Sequence, residues 1–187
     1  MLGVFAYKRR SFVFEGTSML HGWENFFIVA GTAGATLIGL LFVAITLGAG
    51  LSTPQGLDVT RAFLTPTLTR FGSVLFDCLV VLSPWPSTSP VGIILGLVGL
   101  TDLVYQIHII REQRKVGFAS PGWLDWTLFS GAPVLGNASL IAGAVGLIVE
   151  KPFAPYAIAG AIVLLLLAGI YGTWNATLWI ARNRDKK

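Results

Sequence analysis

Residues 26–48 read FFIVAGTAGATLIGLLFVAITLG, a run of 23 residues without a charged side chain. A helix needs about 20 consecutive apolar residues to cross the hydrocarbon core of a bilayer. The run therefore predicts a transmembrane helix. It is too long for the apolar part of a cleaved signal peptide, which has about 7–15 residues, so we expect this helix to be retained.

Four further apolar runs follow, and most charged residues lie between them. Hydrophobic residues make up 54% of the chain and charged residues 12%, against about 25% charged residues in soluble domains. We therefore predict one all-α domain over residues 1–187, a polytopic transmembrane helix bundle with five spans. The expected spans are 23–48, 61–83, 89–110, 125–149 and 156–181.

The second span is the least apolar, because it contains Arg70 and Asp77. Two central charges cost about 5–7 kcal/mol on insertion, and about eleven Leu, Phe and Val residues return about 3–7 kcal/mol. The alternative architecture has four spans, with residues 61–83 as a re-entrant or interfacial helix. Five spans are preferred because a helix satisfies its own backbone hydrogen bonds in lipid.

The ends of the chain are rich in basic residues. Residues 1–22 mix aromatic and basic side chains, which predicts an interfacial segment at the lipid headgroups or a flexible tail. The net charge of +4 indicates contact with anionic lipids and not with nucleic acid. Five spans with a cytoplasmic C-terminus follow the positive-inside bias. They place eight basic residues inside, Arg61, Arg111, Arg114, Lys115, Arg182, Arg184, Lys186 and Lys187, and four outside, Lys8, Arg9, Arg10 and Lys151.

Polar residues inside the spans are the candidate functional residues, since intramembrane charges usually face the bundle interior or a watery cavity. Arg70 and Asp102 each lie about eight residues from the predicted inner ends of their spans, at a depth of about 12 Å. They are predicted to form an ion pair that joins two helices or belongs to an ion path. Asp77 is the candidate proton carrier. Asn137 is expected to bond to a neighbouring helix, and Asn175 to lie near the Arg70 level.

Small residues four positions apart allow neighbouring transmembrane helices to approach closely. Such spacing occurs in three of the predicted spans. The candidate helix-packing residues are Gly31, Gly34, Gly39, Gly92, Gly96, Ala142 and Gly146.

Motifs for catalysis, metals or cofactors are not found in the sequence. No phosphate loop, Gly-x-Ser-x-Gly or His-Glu-x-x-His pattern occurs, so an enzyme is not predicted. Neither a metal nor a cofactor is expected. His21 and His108 fall on opposite sides of a five-span protein and on the same side of a four-span protein, where they become candidate haem ligands. The single cysteine, Cys78, excludes an intrachain disulfide.

The stretch from Phe26 to Pro84, with FFIVAGTAGATLIGLLFVAITLG and RAFLTPTLTRFGSVLF as its two segments, resembles a group of small uncharacterised bacterial multispan proteins. The resemblance covers roughly a third of the chain. It implies a bacterial inner-membrane protein and no particular activity.

Two functions are compatible with these features. The first is a homo-oligomeric ion or proton channel or transporter, for which the intramembrane charges are the reason. The alternative is a non-catalytic anchoring, accessory or sensor subunit of a larger membrane complex, for which the lack of a soluble domain is the reason.

Overall fold

Every regular element in the described part of the chain is helical. The computed structural model describes residues 19–47, 64–115 and 130–184. The all-α class is confirmed for these residues. Five helices occur in them: α1 Glu24–Leu47, α2 Thr65–Leu82, α3 Thr88–Lys115, α4 Ala132–Ile148 and α5 Ala154–Arg184.

Four of these helices contain a stretch that is long and apolar enough to cross a membrane: Glu24–Thr46, Thr65–Leu82, Thr88–Arg111 and Ala154–Asn175. The remaining helix, α4, is apolar but has only 17 residues. At 1.5 Å per residue it is about 25 Å long, somewhat less than the hydrocarbon core of about 30 Å. By length and composition, the chain is an integral membrane protein with four to five spans.

The least apolar of the predicted spans forms one continuous helix, α2, from Thr65 to Leu82. α2 begins just before Pro66, whose missing N–H costs no hydrogen bond in the first helical turn. It is also the most enclosed of the four long helices, with 56% of its residues buried, against 22% for α1 and 17% for α3. The protein around α2 therefore replaces much of the lipid that would otherwise meet its polar residues.

The helices form a ring of four with one helix outside it. α2, α3, α4 and α5 contact one another in that cyclic order, and α1 packs against α2 and α5. Neighbours in the ring are antiparallel. α3–α4 and α4–α5 have the most extensive contacts, whereas the α2–α3 contact is the least extensive in the ring. The face of α2 that meets α3 is the one that carries the charged residues.

Side-chain hydrogen bonds to the backbone of the next helix reinforce the two tight contacts. Thr88 Oγ1 at the start of α3 donates to the carbonyl of Leu147 in α4 at 3.1 Å. Ser139 Oγ in α4 donates to the carbonyl of Ala157 in α5 at 2.8 Å. These bonds satisfy hydroxyl groups that would be costly to leave unpaired in lipid.

Glycines allow close approach at most of the helix contacts. The ideal Cβ position of Gly92 lies 2.6 Å from the carbonyl oxygen of Ala144, so a side chain there would collide with the α4 backbone. The predicted packing residues that lie against a neighbouring helix or turn are Gly31, Gly34, Gly92, Gly96 and Gly146. The structure adds contacts that the four-residue spacing did not single out, at Gly99, Gly136, Gly143, Gly169 and Gly172.

Two of the predicted packing residues do not lie at a contact. Gly39 has no atom within 4 Å of its Cβ position, and Ala142 is exposed. Gly39 is eight residues after Gly31, which turns it about 80° away from the face that meets α2. Ala142 is four residues before Gly146. Four residues turn a helix about 40° more than one full turn, so Ala142 lies nearer the outer face of α4 than Gly146 does.

The outer surface of the bundle is apolar, as expected for a protein in lipid. Val29, Leu97, Val104, Leu135 and Leu167 are each more than half exposed. One end of the bundle carries aromatic side chains. There the rings of Trp23 and Tyr156 meet edge to face with their centroids 4.9 Å apart.

Candidate functional site

A row of polar residues lies at the contact between α2 and α3. Arg70, Ser73 and Asp77 share one face of α2 because they are three and four residues apart. Asp102 and Gln106, four residues apart, share a face of α3. These five residues are called the polar seam below. Arg70 is 5% exposed, Asp77 0% and Gln106 3%, so three of its members are shielded from the surroundings of the bundle.

The end of the seam nearer the start of α2 is built around the guanidinium of Arg70. Its Nη2 donates to Oε1 of Gln106 at 3.2 Å. Tyr105 on α3 also interacts electrostatically with Arg70. On the α5 side, Nη1 of Arg70 lies 3.7 Å from the Cβ position of Gly172. Arg70 therefore bridges α2 and α3 and approaches α5.

The other end of the seam is built around two carboxyl groups. Asp77 and Asp102 interact electrostatically with each other, and the hydroxyl of Ser73 donates to the carboxyl of Asp102. Neither carboxyl oxygen of Asp77 has a hydrogen-bond partner among the described residues. Two carboxylates that interact in a low dielectric repel each other, so a positive charge or a bound proton lowers the energy of the pair.

In the described part of the chain Arg70 bonds to Gln106 and Asp102 accepts from Ser73, in place of the predicted ion pair between Arg70 and Asp102. The ion pair recorded among the described residues joins His21 and Glu24, with Nδ1 and Oε1 2.7 Å apart. The reason is the register of α2 and α3. Arg70 is level with Gln106, and Asp102 is one helical turn farther along, beside Ser73 and Asp77.

Asn137 on α4 lies beside Gly99 on α3. Its backbone carbonyl oxygen is 3.5 Å from the Cβ position of Gly99. Because α3 and α4 are antiparallel, and Gly92 contacts Ala144, Asn137 is level with residue 99, three residues or about 4.5 Å along the axis from Asp102. Asn137 is 3% exposed, and its Oδ1 has no hydrogen-bond partner among the described residues.

Asn175 does not join the seam. On α5, Gly169 contacts Phe71 and Gly172 contacts Thr67. This register places Asn175 level with residue 64, about six residues from Arg70, or about 9 Å along the helix axis. Its side chain is half-buried.

Charged side chains inside the bundle are confined to the seam. α1, α4 and α5 contain no Asp, Glu, Lys, Arg or His in residues 25–46, 132–148 and 154–175. With both carboxyl groups ionised, Arg70, Asp77 and Asp102 together carry a net charge of −1. Burying an uncompensated charge is costly, so the seam favours one compensating positive charge.

Two members of the seam were not singled out from the sequence, Ser73 and Gln106. Gln106 had a visible signal, because it follows Asp102 by four residues in an otherwise apolar stretch of α3. Ser73 had a weaker signal, since Ser is common in membrane helices, where its hydroxyl can bond to its own backbone.

The two histidines lie at opposite ends of the bundle. His21 precedes α1 and its side chain is 82% exposed, whereas His108 is an exposed residue near the far end of α3. The histidines of one chain therefore do not approach each other. Among the described residues, no group of three or more His, Cys, Asp or Glu side chains is arranged to hold a metal ion.

Comparison of the chain with protein-family models, with curated proteins and with solved structures returned no match.

Proposed function

We propose that this protein moves protons or small cations across a bacterial inner membrane, as a homo-oligomeric channel or transporter. The single observation that carries the proposal is Asp77. It is fully buried in a helix long and apolar enough to cross a membrane, and both its oxygens lack a hydrogen-bond partner among the described residues. A carboxyl group in that position is an acceptor for a proton or cation.

The placement of the seam supports movement of an ion through it. The α2–α3 contact is the least extensive in the ring, so fewer packed side chains would have to move to admit water there than at the glycine-lined contacts. The seam also extends along the helix axis, since Arg70 and Asp77 are seven residues, or about 10 Å, apart.

The bacterial inner membrane is proposed on the resemblance of residues 26–84 to small bacterial multispan proteins. A cytoplasmic C-terminus is inferred from the basic residues in 182–187 and at the end of α3, in 111–115. Anionic lipids are the expected partners of those residues. A homo-oligomer is supported by Ala35 and Gly39, which are four residues apart, exposed on α1 and available to a second copy.

The test is proton flux into liposomes that contain the purified protein. An imposed pH gradient should collapse faster in wild-type vesicles than in empty vesicles, and Asp77→Asn should reduce the added flux at least about tenfold. Glu150→Gln is the matched control, because Glu150 is exposed in the turn between α4 and α5, and it should retain wild-type flux. Equal leak from wild-type, Asp77→Asn and empty vesicles would reject the proposal.

The accessory-subunit alternative is tested by mild detergent extraction and mass measurement. A particle that contains only copies of this chain supports the channel or transporter. Foreign subunits present in fixed ratio support the alternative.

A further inference from the structure

We infer that a cleft between the start of α1 and the end of α2 binds an aromatic ring that carries a hydroxyl group. This α1–α2 cleft is lined by residues 20, 21, 24 and 27 around the start of α1 and by residues 81–85 at the end of α2, and its volume is about 210 Å³. None of the residues of the polar seam lines it, so binding there is separate from the proposed movement of ions through the seam.

The deepest side chains that line the cleft are apolar. Leu20, Phe27 and Val81 are all buried. They offer water no hydrogen bond, and an apolar group that displaces poorly ordered water gains affinity. An apolar cavity of about 150 Å³ is large enough to hold benzene. The α1–α2 cleft therefore has room for a substituted six-membered ring.

Trp85 gives the cleft an aromatic wall that is held in place. Its indole Nε1 donates to the carbonyl of Val80 at 2.7 Å, and its side chain is half-buried. Because this bond satisfies the indole N–H, the indole contributes apolar ring surface to the cleft. Aromatic rings attract each other beyond what their contact area alone would give. The wall therefore favours an aromatic ligand over an aliphatic one.

The rim of the cleft carries an imidazole whose position is fixed by its neighbours. Nδ1 of His21 lies 2.7 Å from Oε1 of Glu24, and the backbone N–H of Gly22 donates to Oε2 of the same carboxylate at 2.9 Å. Gly22 has a φ of 90°, a conformation that glycine adopts without a steric cost. This turn holds His21 against Glu24, and Nε2 is the imidazole nitrogen that can bind a ligand.

A hydroxyl group suits Nε2 of His21 in both protonation states of the imidazole. In neutral His21 the proton on Nδ1 is donated to Glu24, so Nε2 accepts a hydrogen bond, whereas in protonated His21 Nε2 donates one. A hydroxyl group both donates and accepts, but a carbonyl oxygen only accepts. The ring is therefore expected to carry a hydroxyl group at the edge that faces the rim.

The charges of the cleft disfavour an ionic ligand. His21 and Glu24 are the two ionisable side chains among the residues that line it, and they are paired with each other. An anion would have to draw His21 away from Glu24. A cation would compete for a carboxylate whose two oxygens already accept bonds from His21 and Gly22. A neutral ring leaves these bonds intact.

The cleft lies at the end of the bundle where the rings of Trp23 and Tyr156 meet, and such aromatic residues are typical of the level of the lipid headgroups. Two sources of hydroxylated rings reach that level. One is a lipid-soluble hydroquinone, whose tail stays in the bilayer, and the other is a small phenol from the water. Both present the same chemistry to the cleft.

The experiment measures saturable binding of 4-fluorophenol to the purified full-length protein in detergent micelles by ¹⁹F NMR, with fluorobenzene as the matched probe that lacks the hydroxyl group. Ser83→Trp, at an exposed position that lines the cleft, should fill the space and weaken binding of both probes at least about tenfold. His21→Phe keeps a ring but removes the hydrogen bond, so it should weaken 4-fluorophenol at least about threefold and leave fluorobenzene unchanged. Asn25→Ala, exposed on α1 and outside the cleft, should change neither.

Equal binding of both probes to the wild type and to Ser83→Trp, with the helicity of the two proteins unchanged, would place the ring elsewhere and overturn the inference. Equal effects of His21→Phe on the two probes would overturn the role of the hydroxyl group.

Competition assigns the source of the ring. Displacement of 4-fluorophenol by a decyl-substituted hydroquinone at a concentration at least tenfold lower than unsubstituted hydroquinone requires, with no displacement by decanol, would identify a ligand from the lipid. Equal displacement by the two hydroquinones would identify a small phenol. Displacement by decanol as strong as that by the decyl-substituted hydroquinone would show that the cleft binds an alkyl chain, and would overturn the inference.

Discussion

Substitution of Gly92 by alanine should force α3 and α4 apart. The added Cβ would lie 2.6 Å from the carbonyl oxygen of Ala144 and 2.8 Å from Cγ1 of Ile148. The oxygen belongs to the α4 backbone and cannot rotate away, so the helices must separate by about 0.8 Å to reach ordinary contact at 3.4 Å. That movement also stretches the 3.1 Å hydrogen bond from Thr88 to Leu147.

The expected cost combines two effects. Overpacking a close contact costs about 1–3 kcal/mol, and loss of an interhelical hydrogen bond in a membrane protein adds about 0.6 kcal/mol. Alanine is also a better helix former than glycine by about 1 kcal/mol. Gly39→Ala has the same gain in helix propensity but no steric cost, because nothing lies within 4 Å of the Cβ position of Gly39. The gain therefore cancels when the two variants are compared.

The assay is reversible unfolding in mixed detergent micelles, in which SDS is titrated and helicity is followed by circular dichroism. Gly92→Ala should have a free energy of unfolding about 2 kcal/mol lower than that of Gly39→Ala. If the two variants are equally stable, the close contact between α3 and α4 is not present in the protein, and the register that places Asn137 beside Gly99 is also wrong.

Three further predictions concern the buried polar groups and the path of the chain. Arg70→Leu should lower the free energy of unfolding by about 1.5–3 kcal/mol, because it removes a charged hydrogen bond to the buried Gln106. The exposed Arg111→Leu should change it by less than about 0.5 kcal/mol, and equal effects in the SDS titration would contradict the burial of Arg70. Ser139→Ala should cost about 0.6–1.7 kcal/mol through loss of its bond to α5, and an unchanged unfolding curve would show that the bond contributes nothing. Cysteines introduced at Ser87 and at Arg111 should react with a membrane-impermeant maleimide from opposite sides in oriented vesicles, because α3 separates them by about 36 Å. Labelling of both positions from the same side would show that α3 does not cross the membrane. The native Cys78 is buried and should remain unlabelled.

The positions of the helices could largely be predicted from the sequence. The first span was expected at 23–48, and α1 is found at Glu24–Leu47. The agreement is close because the hydropathy of a segment largely determines whether it forms a transmembrane helix. The second span was expected at 61–83, and α2 is found at Thr65–Leu82. The first part of the predicted fourth span, residues 125–129, and most of the predicted N-terminal segment, residues 1–18, lie outside the described residues.

The partners of the polar residues could not be predicted, because they depend on helix register. The depth of Asp102 was counted from an expected helix end at residue 110, but α3 continues to Lys115. An error of five residues exceeds one helical turn, which is enough to exchange Asp102 for Gln106 as the partner of Arg70. The level of Asn137 had no signal in the sequence, since it follows from the glycine contacts between α3 and α4 and not from hydropathy.

The contact between α2 and α5 has a consequence for biosynthesis. Phe71 contacts Gly169 and Thr67 contacts Gly172, so α2 meets partners that the ribosome makes last. Until they emerge, the polar partners for the guanidinium and carboxyl groups of α2 are on α3, the next helix to be translated. We expect the two consecutive helices to leave the translocon together as a hairpin, with their polar faces hidden from lipid by one another, and the last helix to close the ring around them.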